Sequence, residues 1–386
     1  MANVQPDLRT KKRFERLTDA QVLTMISGGI LVLMCMAAVL FMGDSGFNKP
    51  QMFLDILNYY SYLIIISCAL TIVMIGGGIN ISVGGVICLT CMSCSMFLNG
   101  SGIENGTLLL LATFALAIGI GAAFGAFQGA LISYLGIQPF IITLAGMFLA
   151  RGLTTMLSGG GNVNVPDSSP FTALEDAVIK IPWLGYLKQK KSTTLWIDGS
   201  LHLAAIIAIA VVVIMYLVMR YTKFGRNTYA IGGNQQSAEM LGINVKRTRF
   251  NTYLLSGTLS GLAGFVFMMY NGAAGKTGIG LRSEMDAIAA SIIGGTLLSG
   301  GVGNMIGSFF GAAILGTLQK IIWFSGLQEA YWQDMASGVM LGLFIVLQSV
   351  VLSVRSKGKI SLPPLMKSSK SKPGGQKPES DTGIKA

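Results

Sequence analysis

The chain has 386 residues, of which 52% are hydrophobic and 12% charged. Soluble domains carry about 25% charged residues, so this deficit excludes an ordinary soluble protein and points to the bilayer. The net charge of +11 is no nucleic-acid footprint. Lys and Arg cluster at the ends of apolar runs and in both tails, which is the orientation signal of a membrane protein.

Ten apolar segments follow along the chain, at 25–42, 56–75, 81–98, 107–127, 139–157, 203–219, 252–270, 286–298, 305–324 and 335–352. Most approach the ~20 residues that a helix needs to cross the hydrocarbon core. The segment 286–298 is too short to cross alone and reads as a half-helix or a re-entrant piece. The expected fold is an all-α polytopic membrane protein of about ten transmembrane helices. A tail at 1–24 precedes the membrane domain at 25–354, and a basic, disordered tail follows at 355–386, rich in Lys, Ser, Pro and Gly. The N-terminus is charged and lacks a small-residue cleavage site, so the first span reads as retained.

Three regions hold most of the basic residues: the N-terminal tail (Arg9, Lys11, Lys12, Arg13, Arg16), the loop 221–249, and the C-terminal tail. With ten spans all three fall on one side, which makes both termini cytoplasmic. The loop 158–200 then lies outside, and its Lys180, Lys188, Lys190 and Lys191 run against the rule.

Cys88, Cys91 and Cys94 read CxxCxxC. On a helix this spacing makes a stripe rather than a cage, and the one histidine, His202, is distant, so packing is expected and no metal. Gly275-Lys276-Thr277 ends like a phosphate loop, yet Tyr270 stands where its first glycine belongs. Asp55, Glu104 and Asp286 are the candidate acids for ion coupling, and all lie near segment ends. No catalytic constellation is present, so the chain is not expected to be an enzyme. If transport is active, its energy comes from another subunit or from an ion gradient.

Two glycine-broken pieces stand out, one in each half. Met74–Gly85 reads MIGGGINISVGG, and Asp286–Asn304 reads DAIAASIIGGTLLSGGVGN. Broken backbone at membrane depth must be buried in protein or line a wet cavity, and many transporters build their substrate path this way. Gly77, Gly78, Gly294, Gly295, Gly300 and Gly301 are the expected hinges. The loop 221–249 is polar and long. Gly232-Gly233-Asn234 forms a turn in it and Gln235–Leu241 a short helix, either to dock on a peripheral ATPase or as an ordinary positive-inside loop.

The pieces GGINISVGG (77–85), QPFIITLAGMFLARGL (138–153), GRNTYAIGGN (225–234) and DAIAASIIGGTLLSGGVGN resemble the permease subunits of bacterial ABC importers for monosaccharides. Ribose, xylose and galactofuranose permeases are members, and AGMFLARG and GGTLLSGGVG look closest to the galactofuranose type. The resemblance covers about 50–350. It implies a cytoplasmic ATP-binding subunit that uses ATP and magnesium, with no cofactor in this chain. It also implies an extracytoplasmic sugar-binding protein, a second permease copy or related chain, and the bacterial cytoplasmic membrane. Ala238, Glu239 and Gly242 fall where the family's coupling helix and its glycine are expected. The family commonly has Asp where this chain has Asn80, and an amide keeps only the hydrogen bonding.

A sugar needs hydrogen-bond partners and an aromatic face. The candidates for its path are Asn80, Ser82, Gln128, Arg151, Asp286, Ser299, Asn304 and Gln319. Each has a plainer alternative. Arg151 snorkels, Gln128 and Gln319 bridge helices, and Asp286 sits at a helix N-terminus. The rival functional reading is a gradient-driven transporter of a small polar solute, which needs no partner ATPase.

Overall fold

A computed structural model describes residues 18–359 apart from 43–46, 48, 104, 166–170, 172–173, 175–176, 191–192, 271–274 and 328. Most of the N-terminal tail, Glu104 and the C-terminal tail from 360 on therefore lie outside the described residues.

The first helix, α1 (Asp19–Met42), starts inside the stretch expected as tail. Next come α2 (Pro50–Tyr59) and α3 (Ser61–Ile75), bent by 55° at Tyr60. Then follow α4 (Val83–Gly100), α5 (Gly106–Tyr134) and α6 (Pro139–Ser158). An antiparallel hairpin, β1 (Val178–Lys190) and β2 (Thr193–His202), leads into α7 (Leu203–Tyr221). The loop 221–249 contains α8 (Lys223–Gly233) and α9 (Gln235–Met240). The chain ends with α10 (Val245–Tyr270), α11 (Ser283–Ile293), α12 (Met305–Phe324) and α13 (Ala330–Lys359).

Each of the ten apolar segments is an element, but the count of spans is lower. Among the described residues eight helices are long and apolar enough to cross, or nine if the bent pair α2–α3 is one span. At 1.5 Å per residue the eleven residues of α11 reach about 16 Å, half of the ~30 Å core. The hairpin departs from the all-helical expectation. Its register breaks between Ile181 and Tyr186, a stretch holding Pro182 and Gly185, both of which weaken a strand signal.

Loop contacts sort the elements into two ends. At the hairpin end, Gln51 and Asn58 bond Ser200, and Asn99 donates to the Asn164 carbonyl at 2.8 Å. Val163 and Gly275 form an isolated bridge there. At the other end, Tyr134 meets Phe250 and Tyr229 donates to Gly303. Apolar residues on every side make α3 a core helix, buried from Leu63 to Ile75. α1 turns Val32, Leu33, Leu40 and Phe41 outward, as a lipid-facing helix does.

Because lipid gives helices little apolar drive to associate, backbone must meet backbone. Gly121 and Gly125 on α5 face Gly257 and Gly261 on α10, and a Cβ on Gly121 would lie 2.8 Å from the Gly261 nitrogen and closer still to the Gly257 oxygen. Gly119, on the open side of α5, has nothing within 4 Å of its Cβ position. Gly121→Leu should thus destabilise by more than the ~1–3 kcal/mol usual for overpacking, while Gly119→Leu should be near neutral. Thermal unfolding of the two purified variants checks this, and equal midpoints would contradict the packing described.

Candidate functional site

The two glycine breaks have matching backbone. After α3, the N–H groups of Gly76, Gly77 and Gly78 donate to Ile72, Met74 and Val73 at 3.3, 2.9 and 3.0 Å. After α11, those of Gly294, Gly295 and Thr296 donate to Ala290, Ile292 and Ser291 at 2.9, 2.8 and 3.0 Å. The second glycine is left-handed in each, with φ 75° at Gly77 and 94° at Gly295, a conformation that only glycine adopts cheaply. An asparagine precedes the next helix in each, as the N-cap of α12 at Asn304 and two residues before the Ser82 N-cap of α4 at Asn80. Asn80 Oδ1 accepts the Ser82 N–H at 3.1 Å, and Asn304 Oδ1 accepts the Ile306 N–H at 3.3 Å.

These breaks, more than 200 residues apart in sequence, touch each other. The Gly301 N–H donates to the Ile75 carbonyl at 2.9 Å. A Cβ on Gly300 would lie 2.9 Å from both the Gly232 oxygen and the Gly77 Cα. Gly232 of α8 is thus the third member of the junction. Its own Cβ would overlap the Ile75 oxygen and sit 2.6 Å from the Gly301 nitrogen. Tyr229, one turn earlier on α8, donates to the Gly303 carbonyl at 2.8 Å. Burial pushes the Tyr229 phenol up to about 12, so it remains a neutral donor at physiological pH.

Local sequence explains why the loop 221–249 is folded. Thr222 accepts the Gly225 N–H, Asn234 accepts the Ser237 N–H, and Asn244 accepts the Arg247 N–H. Each is a short polar side chain serving orphan donors at the start of α8, α9 or α10. Ala238 is buried in a small core with Ile231 and Val245. Glu239 is surface-facing and bonded to Gln235. Gly242 ends α9 with φ 78° and open space around it. Beside it, Met240 and Leu241 are 87% and 80% exposed.

The eight path candidates fall into separate clusters. Asn80, Ser82 and Gln128 form one buried network with Ser256 of α10. Asn80 Nδ2 donates to Ser256 Oγ at 3.0 Å, and Ser82 Oγ lies 2.7 Å from Asn80 Oδ1 and 3.0 Å from Gln128 Oε1. Asn80 therefore uses both ends of its amide, which a carboxylate could not do. Gln128 Nε2 is buried without a bond partner and faces Gly146 of α6. Arg151 does not snorkel. It pairs with Glu284 of α11 at 3.6 Å and donates to the Gly280 carbonyl at 3.0 Å.

Asp286 sits in the first turn of α11, with Gln319 of α12 nearby. Gln319 in turn accepts from the Tyr60 hydroxyl at 2.8 Å. Tyr59 stacks edge-on against Tyr60 and Tyr270, with the Lys320 ammonium 5.0 Å from its ring centre. Asn304 reaches Thr24 of α1. Ser299 lies in the exposed turn between the glycine pairs.

Glu284 is the residue that sequence reading missed. It is only 7% exposed, two positions before the Asp286 that opens the apolar run. A second carboxylate just ahead of the apolar run, in RSEMD, is the available signal.

All five cysteines are free thiols, and among the described residues no group of His, Cys, Asp and Glu could hold a metal.

Residues 52–347 match the family described as "Branched-chain amino acid transport system / permease component". The chain is 39% identical over 304 residues to the inner membrane ABC transporter permease protein YjfF of Escherichia coli, covering 78% of this chain and 85% of that relative. It is 34% identical over 350 residues to the fructose import permease protein FruG of Bifidobacterium longum (90% and 96%). It is 32% identical over 321 residues to the ribose import permease protein RbsC of Escherichia coli (83% and 92%). No solved structure matches the chain.

The Arg151–Glu284 pair invites a double-mutant cycle. Removing one partner strands a buried charge, so Arg151→Met or Glu284→Gln alone should cost about 3 kcal/mol, whereas the double variant should recover much of the loss. Chemical unfolding in detergent micelles would read this out. Additive losses would mean that the two side chains do not act as a pair.

Proposed function

Because the chain belongs to the permease-component family of branched-chain amino acid transport systems, we propose that it is the membrane-spanning subunit of an ATP-driven importer of a monosaccharide. The relatives named for fructose and ribose import support a sugar as cargo. The galactofuranose type is the narrower proposal, and it rests on the motifs AGMFLARG and GGTLLSGGVG alone. The reading places the chain in the bacterial inner membrane, with the end bearing α8 and α9 and both termini in the cytoplasm. That assignment follows the Lys and Arg of the tails and of the loop 221–249. ATP and magnesium then belong to a partner ATPase, and a binding protein delivers sugar at the hairpin end, with a second permease chain completing the path.

The observation that carries the proposal is the junction of Gly77, Gly232 and Gly300. An ATPase seated on α9, against Met240, Leu241 and Glu239, moves α8. Gly232 and Tyr229 of α8 touch both glycine breaks directly, so its motion reaches α3 and α11 without intervening side chains. The breaks reorient their half-helices, and access alternates between the two ends. Tyr60, Asp286 and Gln319, with Tyr59 beside them, offer a sugar hydroxyl partners and an aromatic face near the hairpin end. Asn80, Ser82 and Gln128 hold α4, α5 and α10 around that path.

Glu284 is the acid that a gradient-driven mechanism would need. Its Arg151 partner neutralises it in this conformation, which favours the ATP-driven reading.

Uptake in proteoliposomes separates the two. Monosaccharide should enter only when the ATPase, the binding protein and ATP are all present. Gly242→Arg should abolish uptake, because it places a bulky cation on the docking tip at a left-handed backbone position costing about 1–2 kcal/mol. Uptake by this chain alone under a proton or sodium gradient would instead establish a secondary transporter.

A further inference from the structure

At the end bearing α8 and α9, a cavity of about 750 Å³ opens between the first turn of α1, the last turn of α7, α8, and residues 301–306 leading into α12. This volume falls within the roughly 300–1,000 Å³ of small-molecule sites. Its lining is mixed. Met219 and Ile306 are apolar, Arg220 and Arg226 bring two positive charges, and Asp19 brings one negative.

The arginines are held in place and have donors to spare. Arg220 donates to the Tyr216 hydroxyl and lies 5.6 and 5.7 Å from the ring centres of Tyr216 and Tyr221. Arg226 donates to the Tyr221 carbonyl at 3.1 Å. A guanidinium carries five N–H donors in a rigid fork suited to phosphate oxygens.

Their level in the membrane is also defined. Val213, Ile214 and Leu217 of α7 are exposed apolar residues, and Arg220 and Tyr221 end that helix. Arg and Tyr at the end of a lipid-facing span stand where lipid phosphates lie.

We propose that this cavity binds the phosphodiester headgroup of an anionic phospholipid from the adjacent leaflet, with Arg220 and Arg226 on the phosphate oxygens. The chain's own basic N-terminal stretch, with Arg9, Lys11, Lys12, Arg13 and Arg16, is like-charged with these arginines and a poor occupant. The bound headgroup lies against Gly301, Gly303 and Tyr229, which also line the cavity, so lipid occupancy bears on the glycine junction itself.

Native mass spectrometry of the purified full chain tests the proposal, with dioleoyl phosphatidylglycerol and inorganic phosphate as probes. The wild type should retain one phosphatidylglycerol through detergent exchange, and excess phosphate should not displace it. Arg220→Gln with Arg226→Gln should weaken retention about thirtyfold, while the charge-matched pair Lys246→Gln with Arg247→Gln should leave it unchanged. Arg226→Gln alone, on the exposed side of α8, gives the same reading with a smaller drop if the double variant aggregates. Equal loss in both double variants would reduce the site to loose charge attraction. Displacement by phosphate would make it a soluble-anion site. Unchanged retention in the Arg220/Arg226 variant would remove the cavity from lipid binding. Any of these three results overturns the proposal.

Discussion

Backbone groups freed inside a bilayer must find protein partners, because lipid offers none. α3 stops at Ile75 and α11 at Ile293, each short of a full span, and each leaves carbonyls and N–H groups without helical partners. The two breaks answer this need partly by bonding each other, as the Gly301 N–H does to the Ile75 carbonyl. The remaining contacts follow from how close the strands of chain must come. At 232 and 300 only glycine lets the main chains come this close, and at 77 the left-handed backbone favours glycine. A junction of bare backbone also has few side-chain contacts to rearrange, which suits a hinge.

The same economy governs the rest of the bundle. α5 and α10 meet along glycines, and α11 and α12 meet where Gly294, Gly307 and Gly311 face each other's backbone. Short hydroxyls provide the polar links. Thr71 of α3 donates to Ser291 of α11 at 3.1 Å, and Ser291 donates back to the Ser67 carbonyl at 3.0 Å. Several of the larger polar side chains gather in small sets, such as Asn80 with Ser82, Gln128 and Ser256, or Arg151 with Glu284. These sets fix helix positions on either side of the junction, and a coupling loop that presses on the junction can move helices already bound into firm groups.

Much of this was legible in the chain. Hydropathy located every apolar element, since membrane helices carry their signal in uninterrupted runs. Gly76–Gly78 and Gly294-Gly295 announced the breaks, whereas of the expected turn Gly232-Gly233-Asn234 only Asn234 lies between α8 and α9, both glycines being helical. The count of crossings was less legible, because an apolar run such as 286–298 does not say whether its helix is long enough to span. The meeting of the two breaks was not readable either. It joins residues over 200 positions apart through main-chain atoms that leave no side-chain signature. Glu284 escaped for a related reason: a charge beside an apolar run reads as its boundary, and only the fold shows Arg151 of α6 arriving to meet it. The hairpin was hidden by its Pro, Gly and Lys, which resemble an ordinary loop.

The claim that most needs testing is that backbone contact at Gly232 transmits ATPase motion to the breaks. Gly232 and Gly233 are adjacent, yet a Cβ on Gly232 overlaps the Ile75 oxygen while one on Gly233 meets nothing within 4 Å. The most direct measurement is the number of sugar molecules imported per ATP hydrolysed by the reconstituted transporter carrying Gly232→Ala or Gly233→Ala. The account predicts that Gly232→Ala keeps hydrolysing ATP but imports little sugar, while Gly233→Ala retains the wild-type ratio. An unchanged ratio in Gly232→Ala would contradict it.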